Sequence, residues 1–142
     1  MIKFIRCLER DKPAIWDIFV PAMKPHVENI WGWNAAWQRT EFESHFYRLN
    51  TSFVVHQQEK VGYVQYSLNE MDSYLNMIIL KPAGQGQQLG NIILNSIQAM
   101  QPGKPIKLRC FHINTRAVAF YLKNGFVATA TEENFVVLER AW

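Results

Sequence analysis

The residues best suited to chemistry form a glycine-rich loop between an apolar segment and a helical pattern, from Leu80 to Gly90 (LKPAGQGQQLG). Backbone N–H groups at the start of a helix have no intrahelical partners, and the helix dipole favours an anion there. Glycines let such a backbone approach phosphate oxygens without a Cβ in the way. The loop therefore predicts a diphosphate site, although a glycine-rich turn that serves only as a tight connection shares this pattern.

The spacing of the loop excludes two common nucleotide sites. No Gly-Lys-Ser/Thr follows the glycines, so the nucleotide P-loop is not present. The three glycines at 84, 86 and 90 are also spaced wrongly for the dinucleotide fingerprint, and the acidic residue expected after its second strand is missing. The ligand implied is a different diphosphate.

A second segment of the sequence narrows the choice of diphosphate ligand. Residues 114–126 read NTRAVAFYLKNGF, and residues 85–90 read QGQQLG. Together they resemble the GCN5-related N-acetyltransferase (GNAT) superfamily, whose motifs are Gln/Arg-x-x-Gly-x-Gly/Ala and, downstream, Asn-x-x-Ala-x-x-x-Tyr-x-x-x-Gly-Phe. The first motif departs from the family at Gln88, where glycine is usual.

The resemblance implies that acetyl-coenzyme A is the acyl donor. In the family, the backbone of the strand before the loop pairs with the pantetheine arm, and the loop amides hold the pyrophosphate. Such strand addition uses main-chain bonds, so side-chain identity matters little. The residues implied in donor binding are Ile78, Ile79, Leu80, Gln85, Gly86, Gln87, Gln88, Leu89, Gly90, Asn91 and Asn114.

The resemblance also assigns a general acid, Tyr121, which would protonate the departing thiolate. A free thiol has a pKa of about 8.5 and a free phenol one of about 10, so a nearby tyrosine can reprotonate the leaving sulfur. An amine acceptor must also lose a proton, and the sequence does not single out the base. Its candidates are His112, Glu28, Glu70 and Asp72, with water relayed to solvent as a further alternative.

The resemblance further implies that the first helices contribute residues to the acceptor pocket. There Trp31 and Trp33 flank Gly32 in a predicted loop. Aromatic residues in a loop are less often part of the core than aromatic residues on the apolar face of a helix. Aromatic walls can hold a cationic amine by its charge or an apolar acceptor by contact. Trp31 and Trp33 are therefore the predicted substrate-binding residues.

These inferences predict an N-acetyltransferase that moves an acetyl group from acetyl-coenzyme A to a primary amine of a small molecule, peptide or protein. Direct attack in a ternary complex is the mechanism that the family implies. A noncatalytic acyl-coenzyme A binding or regulatory module is the alternative. No metal is expected.

The helices and strands that must position these residues are predicted from the spacing of apolar residues and from the positions of glycine and proline. Asp11 and Pro13 mark a helix start, and Pro21 and Pro25 are expected to end that helix. Asn34 can cap a second helix with Trp37, Phe42, Phe46 and Leu49 as apolar positions. The predicted strands are 3–8, 52–56, 61–68, 74–80, 106–111, 126–131 and 135–139, and helices follow Gly90 and Asn114 or Thr115.

This order is β-α-α-β-β-β-α-β-α-β-β, and it predicts an α/β (α+β) fold with a mixed, mostly antiparallel central sheet flanked by helices. The chain has 142 residues, about half of them apolar, which fits a single domain over 1–142.

Composition restricts the partners. The net charge is +3, but the basic residues are scattered, which argues against a nucleic-acid binder. Residues 1–12 hold no long apolar run, so neither a signal peptide nor a membrane segment is expected there, and we expect a cytoplasmic protein. Cys7 and Cys110 are expected to be buried free thiols. A monomer or a homodimer is compatible with the sequence.

Overall fold

The computed structural model describes residues 1–86 and 88–142. Its strands are β1 (Ile2–Arg6), β2 (Asn50–His56), β3 (Glu59–Leu68), β4 (Ser73–Leu80), β5 (Ile106–Phe111), β6 (Val127–Thr131) and β7 (Phe135–Arg140). Its α-helices are α1 (Lys12–Trp31), α2 (Ala35–Arg48), α3 (Leu89–Gln98) and α4 (Thr115–Lys123), and short 3₁₀ turns span Glu9–Asp11 and Pro82–Gly84. The strands form one sheet in the order β1-β2-β3-β4-β5-β7-β6. The predicted order of elements and the mixed, mostly antiparallel sheet are confirmed.

The central strands are buried on both faces, because helices cover each side of the sheet. Successive side chains of a strand point to opposite sides, so neighbouring residues belong to different cores. Phe53 and Tyr63 pack with α1 and α2 on one face. Val54 and Val64 pack with α3 and α4 on the other. The sheet thus separates an aromatic core from a largely aliphatic one.

The prediction that Pro21 and Pro25 end the first helix is wrong, because α1 continues through both to Trp31. A proline inside a helix removes a hydrogen bond and typically costs about 3 kcal/mol. Here Phe19, before the prolines, and Val27, beyond them, are both buried, so packing of the helix holds it across the interruption. The helix ends at Gly32, whose φ of 78° is easy only for glycine.

The turn between β2 and β3 is shorter than predicted. Gln57 and Gln58 both have positive φ, 52° and 67°, as a two-residue hairpin turn requires, so Glu59 and Lys60 belong to β3. Other strand boundaries differ from prediction by a residue or two. The buried free thiols at Cys7 and Cys110 are confirmed.

A cleft opens between β4 and β5, which run parallel and pair where residues 73–75 lie beside residues 106–108. A bulge in β4 lies at the point where they diverge, since Gln65 pairs with Met77 while Tyr66 pairs with Leu75. At the bulge, the Asn76 side chain donates to Gln65 Oε1 at 2.9 Å. Because the carboxyl ends of parallel strands meet at one edge of a sheet, the loop after β4 lies beside the start of α4.

Candidate active site

Two cavities meet in this cleft. The first, the loop groove, has a volume of about 910 Å³ and lies between the end of β4, the loop after it, and α4. The second, the aromatic cavity, has a volume of about 360 Å³ and lies between α1, α2 and the diverging strands. Ile78, Asn114, Ala117 and Tyr121 line both. A molecule in one cavity would therefore lie next to a molecule in the other.

The loop before α3 has the backbone of an anion site. Gly86 has a φ of 75° and Gln88 a φ of 59°, and no described side chain caps the first turn of α3. The start of this helix can therefore direct its amides to an anion. Gln88 adopts the left-handed conformation at the position where the family usually has glycine, which costs a non-glycine residue about 1 kcal/mol.

Two further contacts fix the position of the loop and of the start of α3. The Gln85 side-chain amide donates to the Leu80 carbonyl oxygen at 2.9 Å and ties the loop to the strand. A Cβ on Gly90 would lie 2.6 Å from Phe120 Cζ, so a glycine is needed for α3 to approach α4. The predicted ligand residue Gln87 lies outside the described residues.

The predicted donor residues lie close together. Those lining the loop groove are Ile78, Leu80, Gln85, Gly86, Gln88, Leu89, Gly90, Asn91 and Asn114. The Ile79 side chain instead is buried with Phe53 and Tyr63, on the other face of the sheet. Beyond Leu75, the described part of β4 has no paired strand on the side of β5, so its backbone edge is open to an added strand.

Two basic side chains that the sequence analysis did not single out, Arg116 and Lys123, also line the loop groove. Among its described lining residues there is no carboxylate. The groove is therefore electropositive at the helix N-terminus that would receive a phosphate. Arg116 and Lys123 are the second and last residues of α4, and no local pattern indicates that this helix lies against the loop.

Tyr121 lies where the two cavities join. Its side chain is 8% exposed and packs against Phe120 and Phe126, with ring centroids 5.2 and 5.4 Å away. Burial raises the pKa of its phenol above the usual value, with a smaller contribution from Cys110. The hydroxyl therefore stays protonated at neutral pH and is able to donate a proton. Asn114 caps α4, because its side-chain oxygen accepts from the Ala117 N–H at 3.3 Å.

The predicted bases are not among the described residues that line the two cavities. His112 is exposed, and its Nε2 lies 2.8 Å from the carbonyl oxygen of Glu133, a residue in the turn between β6 and β7. Since a carbonyl oxygen only accepts, this nitrogen carries the hydrogen. Glu28, Glu70 and Asp72 are likewise not among the described residues that line either cavity.

A carboxylate and an imidazole that the sequence analysis missed do line the aromatic cavity. They are Glu41 and His45, one turn apart on α2, with Oε2 and Nε2 separated by 3.8 Å. Burial lowers the pKa of His45, and Glu41 opposes that effect, so the imidazole is largely neutral at pH 7. The sequence pattern that could have revealed them is helical spacing, because the α2 residues that line this cavity recur at intervals of three or four: Trp37, Gln38, Glu41, Phe42 and His45.

The two predicted substrate-binding tryptophans are separated. Trp31 is the last residue of α1 rather than part of a loop; it lines the aromatic cavity and is 55% exposed. Its ring centroid lies 5.6 Å from that of Phe111. Trp33 instead packs on Trp16, at 6.2 Å, and is not among the described lining residues of either cavity. The structure thus brings Trp31 to the site and directs Trp33 to the packing of α1.

Two other kinds of feature are absent from residues 1–86 and 88–142. No helix there is long and apolar enough to cross a membrane. No group of three or more histidine, cysteine or acidic side chains there could hold a metal ion.

Residues 43–128 match a family described as "Acetyltransferase (GNAT) domain". The match begins within α2 and includes the glycine-rich loop and all of α4. No curated protein matches the sequence closely enough to count as a relative.

Solved structures share the fold over the whole chain. PaiA N-acetyltransferase from Thermoplasma acidophilum, in complex with coenzyme A, aligns with a TM-score of 0.76 and 14% identity, covering 100% of this chain and 99% of its own. An acetyltransferase from Thermus thermophilus aligns with a TM-score of 0.81 and 17% identity, covering 100% of this chain and 97% of its own. At these identities the likeness establishes the fold alone.

Proposed function

Because the chain belongs to the GNAT acetyltransferase family, as the match over residues 43–128 shows, we propose that it transfers an acetyl group from acetyl-coenzyme A to a primary amine. The acceptor attacks directly while both substrates are bound. One observation carries this proposal: the loop groove and the aromatic cavity meet at Tyr121. A donor in one and an acceptor in the other would have their reacting atoms side by side.

The loop groove is the proposed donor site. The open backbone edge of Ile78, Ile79 and Leu80 would pair with the pantetheine arm. The amides of Gly86 and of residues 88–91 would hold the pyrophosphate, and Arg116 and Lys123 add positive charge to the same groove. Asn114, which lines both cavities, would lie beside the reacting end of the arm.

The chemistry moves protons at the nitrogen and at the sulfur. The amine nitrogen, once it has lost one proton and become neutral, attacks the acetyl carbonyl carbon, forms the C–N bond and then releases a second proton to solvent. The C–S bond then breaks, and the thiolate takes the proton of the Tyr121 hydroxyl. Solvent returns a proton to Tyr121, because its raised pKa makes the phenolate unstable.

The test has two stages. Titration of the protein with acetyl-coenzyme A measures binding, and a thiol-reactive dye then measures release of coenzyme A when a panel of amines is added. We expect saturable binding and amine-dependent thiol release above hydrolysis. Binding without release for any amine would favour the noncatalytic acyl-coenzyme A module, and absence of binding would exclude both.

A further inference from the structure

The aromatic cavity is lined by two groups of rings. In the first group Phe111 and Phe135 stack with ring centroids 4.7 Å apart, and Trp31 packs edge-on against Phe111. In the second group the ring centroids of Phe19 and Phe42 lie 5.6 Å apart. Rings prefer to stack in offset or edge-to-face arrangements, so a flat apolar group suits a cavity lined in this way.

The polar groups of the cavity are few. Among its described lining residues, Glu41 is the one carboxylate and Arg109 the one guanidinium. Arg109 forms an ion pair with Glu132 and lies over the Phe135 ring, 4.7 Å from its centroid, so its charge is engaged. The other titratable lining groups are His45, Tyr74, Cys110 and Tyr121. Glu41 is thus left to attract a cation, and His45 lies beside it.

We propose that, if the chain is the acetyltransferase proposed above, its acceptor is a primary amine on an aromatic body that lies among the two groups of rings. Glu41 attracts the ammonium group, and His45 removes its proton. The nitrogen lone pair then attacks the acetyl carbonyl carbon and forms the C–N bond. The nitrogen loses its second proton to solvent as the C–S bond breaks, and the sulfur takes the proton of Tyr121. His45 releases the proton it received to solvent, and solvent reprotonates Tyr121.

The volume supports this class over a protein substrate. A cavity of about 360 Å³ falls at the lower end of the range of about 300–1,000 Å³ for small-molecule pockets. Two of its lining residues, Trp31 and Trp37, are 55% and 56% exposed. These two rings are therefore available to contact a ligand that enters the cavity.

The first experiment compares acceptors. The probes are 2-phenylethylamine, ethylamine and a lysine-containing peptide, each tested by thiol release at saturating acetyl-coenzyme A. We expect kcat/KM for 2-phenylethylamine to exceed that for ethylamine by at least about 100-fold, since the phenyl ring adds six carbons and a single methylene in an apolar pocket already contributes about 10-fold or more. Equal values, or a preference for the peptide, would overturn the proposal.

Variants then test whether Trp31 contacts the aromatic acceptor. Trp31→Ala is expected to lower kcat/KM for 2-phenylethylamine by about tenfold, while Trp142→Ala is the matched control. Trp142 is 63% exposed and is not among the described lining residues of either cavity. Equal losses in the two variants would contradict the assignment of Trp31 to the acceptor.

The role of His45 is tested with His45→Gln beside His112→Gln. We expect the first to lower kcat by about 100-fold or more, the usual contribution of a general base, with the affinity for acetyl-coenzyme A unchanged. The second should keep most of the turnover because His112 contacts the turn between β6 and β7 instead. If His112→Gln lowered kcat and His45→Gln left it unchanged, the assigned role of His45 would be wrong.

Failure of this proposal is distinguishable from failure of the proposed function. If acetyl-coenzyme A binds and the peptide is the better acceptor, the acetyltransferase stands and the aromatic amine is wrong. If acetyl-coenzyme A does not bind, both are wrong.

Discussion

Gly90→Ala tests the contact that lets α3 approach α4 beside the loop groove. An added Cβ would lie 2.6 Å from Phe120 Cζ and 2.9 Å from Phe120 Cε1, whereas ordinary contact begins at about 3.4 Å. The Phe120 ring must therefore retreat by nearly 1 Å. That ring lines the groove and packs on Tyr121.

The expected magnitude is the difference between two effects. Overpacking typically costs about 1–3 kcal/mol, and replacing glycine by alanine in a helix returns up to about 1 kcal/mol. With a cost in the middle of the first range and the full gain from the second, the net loss of unfolding free energy is about 1 kcal/mol. At about 3 °C for each kcal/mol in a chain of this size, the Tm should fall by about 3 °C.

Thermal unfolding followed by circular dichroism measures this change, and a second background isolates its cause. In Phe120→Leu the ring tip is gone, so adding Gly90→Ala should leave the Tm unchanged or raise it. An equal fall in both backgrounds, or a rise in the otherwise unchanged protein, would refute the assigned contact.

Three further predictions concern the site and its thiols. Tyr121→Phe should lower turnover by about 100-fold and leave acetyl-coenzyme A affinity nearly intact, measured by thiol release and calorimetry; unchanged turnover contradicts the acid role. Gln88→Gly should preserve or tighten acetyl-coenzyme A binding because it relieves a φ of 59°, and a weaker affinity by calorimetry contradicts this. Burial raises the pKa of Cys7 and Cys110 from 9.0 to about 11, so the unfolded thiols ionise first and stability should be lost from pH 9 to 11. A Tm series that rises over that range contradicts it.

Local patterns account for the elements around the loop groove. The uncapped start of α3 and the Asn114 cap of α4 follow from residues adjacent in the chain. The order of strands and helices followed in the same way from periodicity. Helix starts and the order of elements depend mainly on residues that are neighbours in the sequence, so they could be predicted from it.

The aromatic cavity depends on contacts between distant residues, so less of it could be predicted. The continuation of α1 beyond Pro25 depends on packing against the sheet rather than on helix propensity. His112 contacts the Glu133 carbonyl, 21 residues later, and is not among the described residues that line either cavity. Glu41 and His45 line the cavity together with residues of β4 and β5, which lie more than 25 residues further along the chain.

The shared lining of the two cavities has a consequence for inhibition. Since Ile78, Asn114, Ala117 and Tyr121 border both, the two ligands that are proposed to meet there would contact the same four residues. A single molecule joining coenzyme A to an aromatic amine through its sulfur would occupy both cavities at once. Linking two ligands in this way makes the second contact intramolecular, so such a conjugate should bind more tightly than either half.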